Sequence, residues 1–105
     1  MKKIYISGKI SGLSEEQYRA NFMRAILKVE IMRRFEHDKY SIVNPLNIRP
    51  LFGVKKWLFY MINDLRAQRK CTHSAFQSNW TESRGAVIEY YFAKFIFKHE
   101  IIMLP

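Results

Sequence analysis

The sequence lacks the marks of secreted, disulfide-bonded and membrane-spanning proteins. Its single cysteine, Cys71, rules out a disulfide within the chain and suits a reducing compartment. No apolar run is long enough to span a bilayer. Residues 1–7 are too few, and too soon followed by polar residues, to serve as a signal peptide. We therefore expect a cytoplasmic protein that makes no use of a membrane.

Patterns for metal ions and nucleotide cofactors are also missing. No metal-ligand spacing links His37, His73, His99 and Cys71, so we interpret all four as structural or surface residues. Walker, dinucleotide-binding, zinc-finger and RNA-recognition sequences do not occur. No catalytic base lies near Cys71 in the sequence, which argues against a thiol nucleophile. We expect neither a metal nor a cofactor.

Acidic residues are scarce, and this gives the chain a strongly basic balance. The sequence has 9 acidic and 18 basic residues, for a formal net charge of +9. Such a charge suggests an anionic partner, and nucleic acid, nucleotides and acidic protein surfaces all qualify. The basic residues are dispersed, as they are on many solvated helix faces. Charge alone therefore favours a bound phosphate only weakly.

The order of the predicted elements indicates the fold class. A chain of 105 residues has room for one domain, residues 1–105. Strand and helix patterns alternate, which predicts a parallel sheet with helices on its faces and right-handed crossovers. We expect the strand that contains Tyr5 near the centre of the sheet. The predicted strands are residues 3–7, 40–43, 72–76 and 101–104, and the predicted helices are residues 14–35, 54–70 and one capped by Ser83.

Three loops of this predicted sheet should gather at one edge. They are residues 7–12, the loop after Val43 and the loop before Ser83. Ligands of open parallel sheets bind beyond the carboxyl ends of the strands. Gly8 and Gly12 allow close approach of a ligand to the backbone, and N–H groups near a helix start favour anions. An ordinary tight turn is the alternative interpretation of this glycine pair.

Glu89 is a carboxylate on the apolar side of the predicted third helix. At about 100° per residue, it lies opposite Lys94 and Lys98. Its neighbours on the same face are small or apolar: Gly85, Ala86, Phe92 and Ala93. Buried acids are rare and usually paired with a base, so a structural ion pair is one interpretation. A functional carboxylate is the other.

Asp64 and Trp80 are two further candidates, each with an ordinary alternative. Asp64 shares a helix face with Trp57, Tyr60 and Met61. In isolation, a capping or solvated acid near Arg66, Arg69 and Lys70 is the favoured interpretation. Trp80 lies in a polar loop, where it could stack on a base or close over the core.

Four segments, taken in their order along the chain, match the motifs of a known family. They are Tyr5-Ile6-Ser7-Gly8 followed by Gly12, Val43-Asn44-Pro45-Leu46, Trp57-x-x-Tyr60-Met61-x-x-Asp64-Leu65 and Trp80-x-x-Ser83-x-Gly85-Ala86-x-x-Glu89. Together they resemble the nucleoside 2-deoxyribosyltransferase-like superfamily, most closely its small uncharacterised bacterial and phage branch. The resemblance covers essentially the whole chain.

The resemblance implies both a fold and a chemistry. The fold would be α/β, a three-layer, doubly wound, flavodoxin-like arrangement with a mostly parallel sheet of four to five strands. Glu89 would attack the anomeric carbon of a deoxyribose and form a covalent glycosyl-enzyme, in the manner of a retaining glycosidase. Asp64 would bind and orient the substrate, and Tyr5 would lie near the nucleophile.

The resemblance also implies a set of substrate contacts. The glycine loop would border the substrate, and serines would hold a 5′-phosphate in the nucleotide-hydrolysing branch. The candidate substrate-binding residues are Ser7, Gly8, Lys9, Ser11, Gly12, Asn44, Trp57, Trp80, Ser83 and Gly85.

The sequence departs from the family pattern at three positions. Thr72 stands where relatives commonly have an acidic residue, and Ser83 stands where the transferases have an aspartate. Both losses bear on how the leaving base is protonated. Lys9 replaces a residue that is often proline or small, and together with the net charge it favours a phosphorylated substrate.

Three functions are therefore compared below. The leading one is cleavage or transfer of an N-glycosidic bond on a deoxyribonucleoside or its 5′-monophosphate. The alternatives are a catalytically silent nucleotide-binding module and a basic phage or mobile-element protein that binds nucleic acid or a host protein. We also expect a homo-oligomer, because the third helix is almost wholly apolar, with Tyr90, Phe95 and Phe97 spread around it.

Overall fold

The computed structural model describes residues 2–33, 40–47 and 57–105. Four strands alternate with three helices along this chain, as the sequence pattern predicts. The elements are β1 (Lys2–Ser7), α1 (Glu15–Arg33), β2 (Tyr40–Val43), α2 (Trp57–Arg69), β3 (His73–Phe76), α3 (Arg84–Tyr91) and β4 (Glu100–Met103). Short 3-10 turns span Pro45–Asn47 and Trp80–Glu82, and a π-helical segment, Phe92–Ile96, continues α3.

The four strands form one sheet in the order β2-β1-β3-β4, and all neighbouring strands are parallel. In this sheet Tyr5 pairs with Val43 on one side and with Ser74 on the other. The prediction that its strand is central is therefore confirmed. With its three helices, the chain has the predicted α/β class and a flavodoxin-like arrangement of three layers.

Helix α1 begins with the predicted capping box. The Gln17 N–H donates to Ser14 Oγ at 3.2 Å, and the Ser14 N–H donates to Gln17 Oε1 at 2.9 Å. These bonds satisfy two backbone donors that the helix start would leave unpaired. The buried side of the helix, with Phe22, Ala25 and Val29, then packs on the sheet as part of the apolar core.

The two faces of the sheet have different chemistry. Side chains of successive strand residues point to opposite faces. In β1, Ile4 and Ile6 belong to the apolar core under α1. Ser7 instead bonds to a side chain of α3, so Tyr5 and Ser7 face α2 and α3. That second face carries buried polar groups, and the candidate site lies at its end.

Some predictions fall on parts of the chain that the structure does not describe. The predicted loop at residues 46–53 and the predicted start of α2 at residues 54–56 overlap residues 48–56, which lie outside the described ranges. Among the described residues, no helix combines the length and apolar character needed to cross a membrane.

Candidate active site

A cleft of about 290 Å³ opens at the edge where the carboxyl ends of the strands meet the starts of the helices. This volume is close to the lower end of the roughly 300–1,000 Å³ typical of ligand clefts. All three helices and the loops after β1 and β2 contribute to it. The lining residues are Ser7, Gly8, Ile10, Ser11, Phe22, Pro45, Tyr60, Met61, Asp64, Ser83, Gly85, Ala86 and Glu89.

Glu89 lines this cleft from the first turns of α3. Ser83 caps the helix, and its Oγ accepts a hydrogen bond from the Ala86 N–H at 3.2 Å. Ala86, Glu89 and Ala93 form the buried side of the helix and its extension, as the spacing predicts. Glu89 is only 5% exposed. Because Gly85 and Ala86 are small, space is left beside its carboxylate.

Ser7 is a hydrogen-bond donor to the Glu89 carboxylate. It is the last residue of β1, it is 1% exposed, and its Oγ lies 3.1 Å from Glu89 Oε1. A hydroxyl that donates to a carboxylate favours the charged form, which a nucleophile requires. Tyr5, the candidate two residues earlier, is completely buried and does not line the cleft.

Asp64 brings a second carboxylate to the same cleft. It lies on α2, one turn after Tyr60 and Met61, which also line the cleft, and it is 4% exposed. Among the described residues, no lysine, arginine or histidine lines this space. The described part of the lining therefore suits a ligand that donates hydrogen bonds to carboxylates better than it suits a bare anion.

Inside the loop after β1, Gly8 lies very close to the side chain of Gln77. A Cβ atom at this position would lie 2.3 Å from Gln77 Nε2, which is shorter than any normal contact. Gly12 serves a different purpose, since its φ of +83° turns the chain away from the cleft. Of the glycine loop, Gly8 and Ser11 line the cleft and Gly12 does not.

The structure places Lys9 outside the cleft. Its N–H donates to Asn79 Oδ1 at 3.1 Å, and its Nζ lies 3.7 Å from Glu82 Oε1. The Lys9 ammonium is thus engaged with an acid on the loop before α3. The position of Lys9 in the structure therefore does not support a phosphorylated substrate.

Three other candidates also lie away from the cleft or outside the description. Asn44 Oδ1 accepts a hydrogen bond from the Leu46 N–H at 3.0 Å and so caps the turn after β2. Trp80 stacks on Tyr90 with ring centroids 4.7 Å apart, which matches the alternative that it closes over the core. Trp57 is the first residue of α2, and its side chain is not among those described.

The apolar walls of the cleft are the part that sequence reasoning missed. Ile10, Phe22 and Pro45 come from three different elements, and each looks like an ordinary core or turn residue in the sequence. Their meeting depends on the order of the strands, so no local pattern could have identified them. Met61 and Tyr60 were noted only as neighbours of Asp64.

Cys71 and the described histidines play no direct part in the cleft. Burial raises the pKa of the Cys71 thiol to about 11, so it is a protonated, unreactive group at neutral pH. In the described part of the chain, no group of three His, Cys, Asp or Glu side chains is arranged to hold a metal ion.

Comparison with known proteins gives one family. No curated protein and no solved structure matches the sequence. A family described as a domain of unknown function, DUF4406, matches residues 2–102. That match spans the first three strands, all three helices, β4 up to residue 102 and every residue that lines the cleft. The chain therefore belongs to the DUF4406 family.

Proposed function

We propose that the protein cleaves or transfers the N-glycosidic bond of a deoxyribonucleoside or its 5′-monophosphate, with Glu89 as the nucleophile. The reaction would pass through a covalent glycosyl-Glu89 intermediate. The single cysteine suits a reducing compartment and favours a cytoplasmic setting.

The observation that carries this proposal is the position of the Glu89 carboxylate. It is buried, it borders an open cleft, and it receives a hydrogen bond from Ser7 Oγ. The second acid in the cleft, Asp64, could accept hydrogen bonds from sugar hydroxyls and so orient the anomeric carbon.

The chemistry requires two displacements at the anomeric carbon C1′. In the first, a Glu89 oxygen forms a bond to C1′ while the C1′–N bond breaks, and the base leaves with the electron pair and takes a proton from water. In the second, water or another base attacks C1′ and gives up a proton to the hydroxide left by the first step, the ester bond breaks, and the Glu89 carboxylate is restored. Water gives hydrolysis, and a second base gives transfer.

Different residues of the cleft favour substrates with and without a 5′-phosphate. Its described lining has two carboxylates and no cation, which favours an unphosphorylated nucleoside. Ser11 and Ser83 also line it, and Ser83 Oγ acts as an acceptor in its capping bond, so its hydroxyl hydrogen is available to a phosphate. Direct comparison of nucleosides with their monophosphates decides between these substrates.

The test is release of free base from a panel of deoxynucleosides and their 5′-monophosphates, measured by chromatography. We expect Glu89→Gln to reduce the rate by about 10³-fold or more, because the amide cannot form the glycosyl ester. Glu16→Gln, a change at an exposed acid of α1, serves as the matched control and should retain the wild-type rate.

Three outcomes would contradict the proposal. Equal base release by wild type and Glu89→Gln would remove Glu89 as the nucleophile. A nucleotide that raises the melting temperature while no base is released would favour the silent binding module. Duplex binding with a steep salt dependence, again without base release, would favour the nucleic-acid-binding alternative.

A further inference from the structure

A buried chain of hydrogen bonds lies behind Glu89, on the side away from the cleft. Its centre is Gln68 of α2, which is 0% exposed. The Gln68 Nε2 group donates to Ser74 Oγ at 3.0 Å and to the main-chain carbonyl of Glu89 at 3.1 Å. This one amide therefore joins α2, β3 and α3 at the residue proposed to be the nucleophile.

The chemistry of the partners fixes the orientation of the Gln68 amide. A main-chain carbonyl only accepts hydrogen bonds, so the amide nitrogen, and not its oxygen, must face Glu89. The amide nitrogen has two hydrogens, and the two contacts use both. No other orientation of the side chain satisfies the Glu89 carbonyl, so the contact is specific to an amide donor.

The series of hydrogen bonds continues from Ser74 to His99, the residue before β4. Ser74 Oγ lies 2.8 Å from His99 Nδ1, so the Ser74 hydroxyl contacts both the Gln68 amide and the imidazole. Buried hydrogen bonds in such a series polarise and reinforce one another.

The helix changes its hydrogen-bond pattern just after Glu89. The Phe92 N–H contacts the carbonyls of both Ile88 and Glu89, and the Phe97 N–H bonds to the Phe92 carbonyl at 2.7 Å, five residues earlier. This is the wider π-helical turn, which is weaker than an α-turn and is often found at functional sites. Glu89 thus lies near the end of the regular α-helix, and its carbonyl receives the Phe92 N–H from within the helix and the Gln68 amide from outside it.

We propose that Gln68 is the positioning residue for Glu89: by binding the Glu89 carbonyl from the rear, it sets the position of α3 over β3 and holds the carboxylate against Ser7. Ser74 and His99 act through Gln68 by keeping its amide oriented. The kinetic part of this inference rests on the proposed glycosyl transfer, whereas its structural part does not.

The test uses Gln68→Met, which keeps the length of the side chain and removes both donors. For base release we expect kcat to fall by about 10-fold or more while KM stays within about 3-fold, because misplacement of a nucleophile acts mainly on the chemical step. Gln17→Met, the same change at an exposed position of α1, is the control; it loses only the capping bond from the Ser14 N–H and should keep the wild-type kcat.

A second readout does not depend on activity. The ¹³C resonance of the Glu89 carboxyl, identified by its loss in Glu89→Gln, should move in Gln68→Met and stay in place in Gln17→Met. If Gln68→Met fails to fold, Ser74→Ala removes one partner of the amide and should move the same resonance by less, with kcat lowered about 3-fold.

The outcomes separate this inference from the proposed reaction. A folded Gln68→Met variant with an unchanged Glu89 resonance and unchanged kcat overturns the positioning role, even if the wild type releases base. If the wild type releases no base but the resonance moves in Gln68→Met, the proposed reaction fails and the positioning role stands. If the Glu89 resonance does not move in a folded Ser74→Ala variant, the proposed role of Ser74 in orienting the Gln68 amide is also contradicted.

Discussion

At the scale of single residues, the contact between Gly8 and Gln77 is the tightest constraint on the cleft. A Cβ atom at Gly8 would lie 2.3 Å from Gln77 Nε2 and 2.5 Å from its Cδ. Gln77 is 6% exposed, so its amide has little room to move aside. A side chain at residue 8 would therefore force the Gln77 side chain to shift.

This contact makes a prediction about stability. Gly8→Ala should lower the free energy of unfolding by about 1–3 kcal/mol, the usual cost of overpacking, as measured by urea denaturation. Adding Gln77→Ala removes the atoms that the new methyl group meets, so the double variant should recover part of that loss. If the effects of the two changes on the free energy of unfolding are strictly additive, the side chains at residues 8 and 77 are not in contact.

Residues of the site differ in how visible they are in the sequence. Glu89 could be predicted because its helical spacing alone puts a carboxylate among small apolar neighbours. Its donor Ser7 lies 82 residues away, and the family resemblance suggested it only as a phosphate contact. Gln68 gave no sign at all, since its amide resembles any polar helix residue until α2, β3 and α3 are assembled. Long-range contacts of this kind depend on topology, which local patterns do not contain.

At the scale of secondary-structure elements, the partly buried His99, just before β4, should make stability depend on pH. Burial is the main reason that the pKa of His99 is lowered from its ordinary 6.5, and the nearby His73 lowers it further. The unfolded chain then binds a proton at a higher pH than the folded chain does. Stability from the neutral imidazole is complete above about pH 6.5 and is lost as the pH falls through the folded pKa.

A comparison of His99→Gln with wild type isolates this contribution. The free energy of unfolding, measured by urea denaturation from pH 7.5 to about pH 5, should fall less steeply for the variant, because it lacks the proton uptake of residue 99. The Gln side chain can still accept a hydrogen bond from Ser74. Parallel curves for the two proteins would mean that His99 titrates alike in both states.

The elements themselves follow closely from sequence. Residues 40–43 were predicted as the second strand, and β2 spans Tyr40–Val43, because a short β-branched run ends at Asn44-Pro45. The π-helical segment, Phe92–Ile96, was not foreseen. Its composition is that of any aromatic helix, and its widened turn accompanies the backbone contacts that follow α3, including the bond from the His99 N–H to the Ala93 carbonyl.

At the scale of the whole molecule, a large apolar area stays exposed on α2 and on the end of α3. The side chains that are about half exposed or more include Leu58, Phe59, Ile62, Tyr91, Phe95 and Ile96. Apolar patches of this kind usually mark contacts between proteins. The basic Lys94, whose Nζ lies 5.5 Å from the Phe95 ring centre, adds positive charge to the same surface.

We expect a homodimer or higher oligomer in solution, as proposed from the composition of α3. Light scattering at high micromolar concentration, with and without Phe95→Lys, measures this directly. The variant should shift the population towards the monomer, since it replaces an exposed aromatic by a charge. A monomeric wild type at that concentration would contradict the expectation. The exposed apolar surface of α2 and α3 would then be a candidate contact for a different protein.

The order of the strands has a consequence for the timing of assembly. β1 pairs with β2 and with β3, so its second neighbour arrives some 70 residues after it along the chain, at His73–Phe76. The bond between Ser7 and Glu89 must wait still longer, until α3 docks. Contacts between such distant parts of a chain form late and slow the search for the native state. We therefore expect the cleft to be completed near the end of folding, and if the protein releases base, regain of that activity after dilution from denaturant would time the last step.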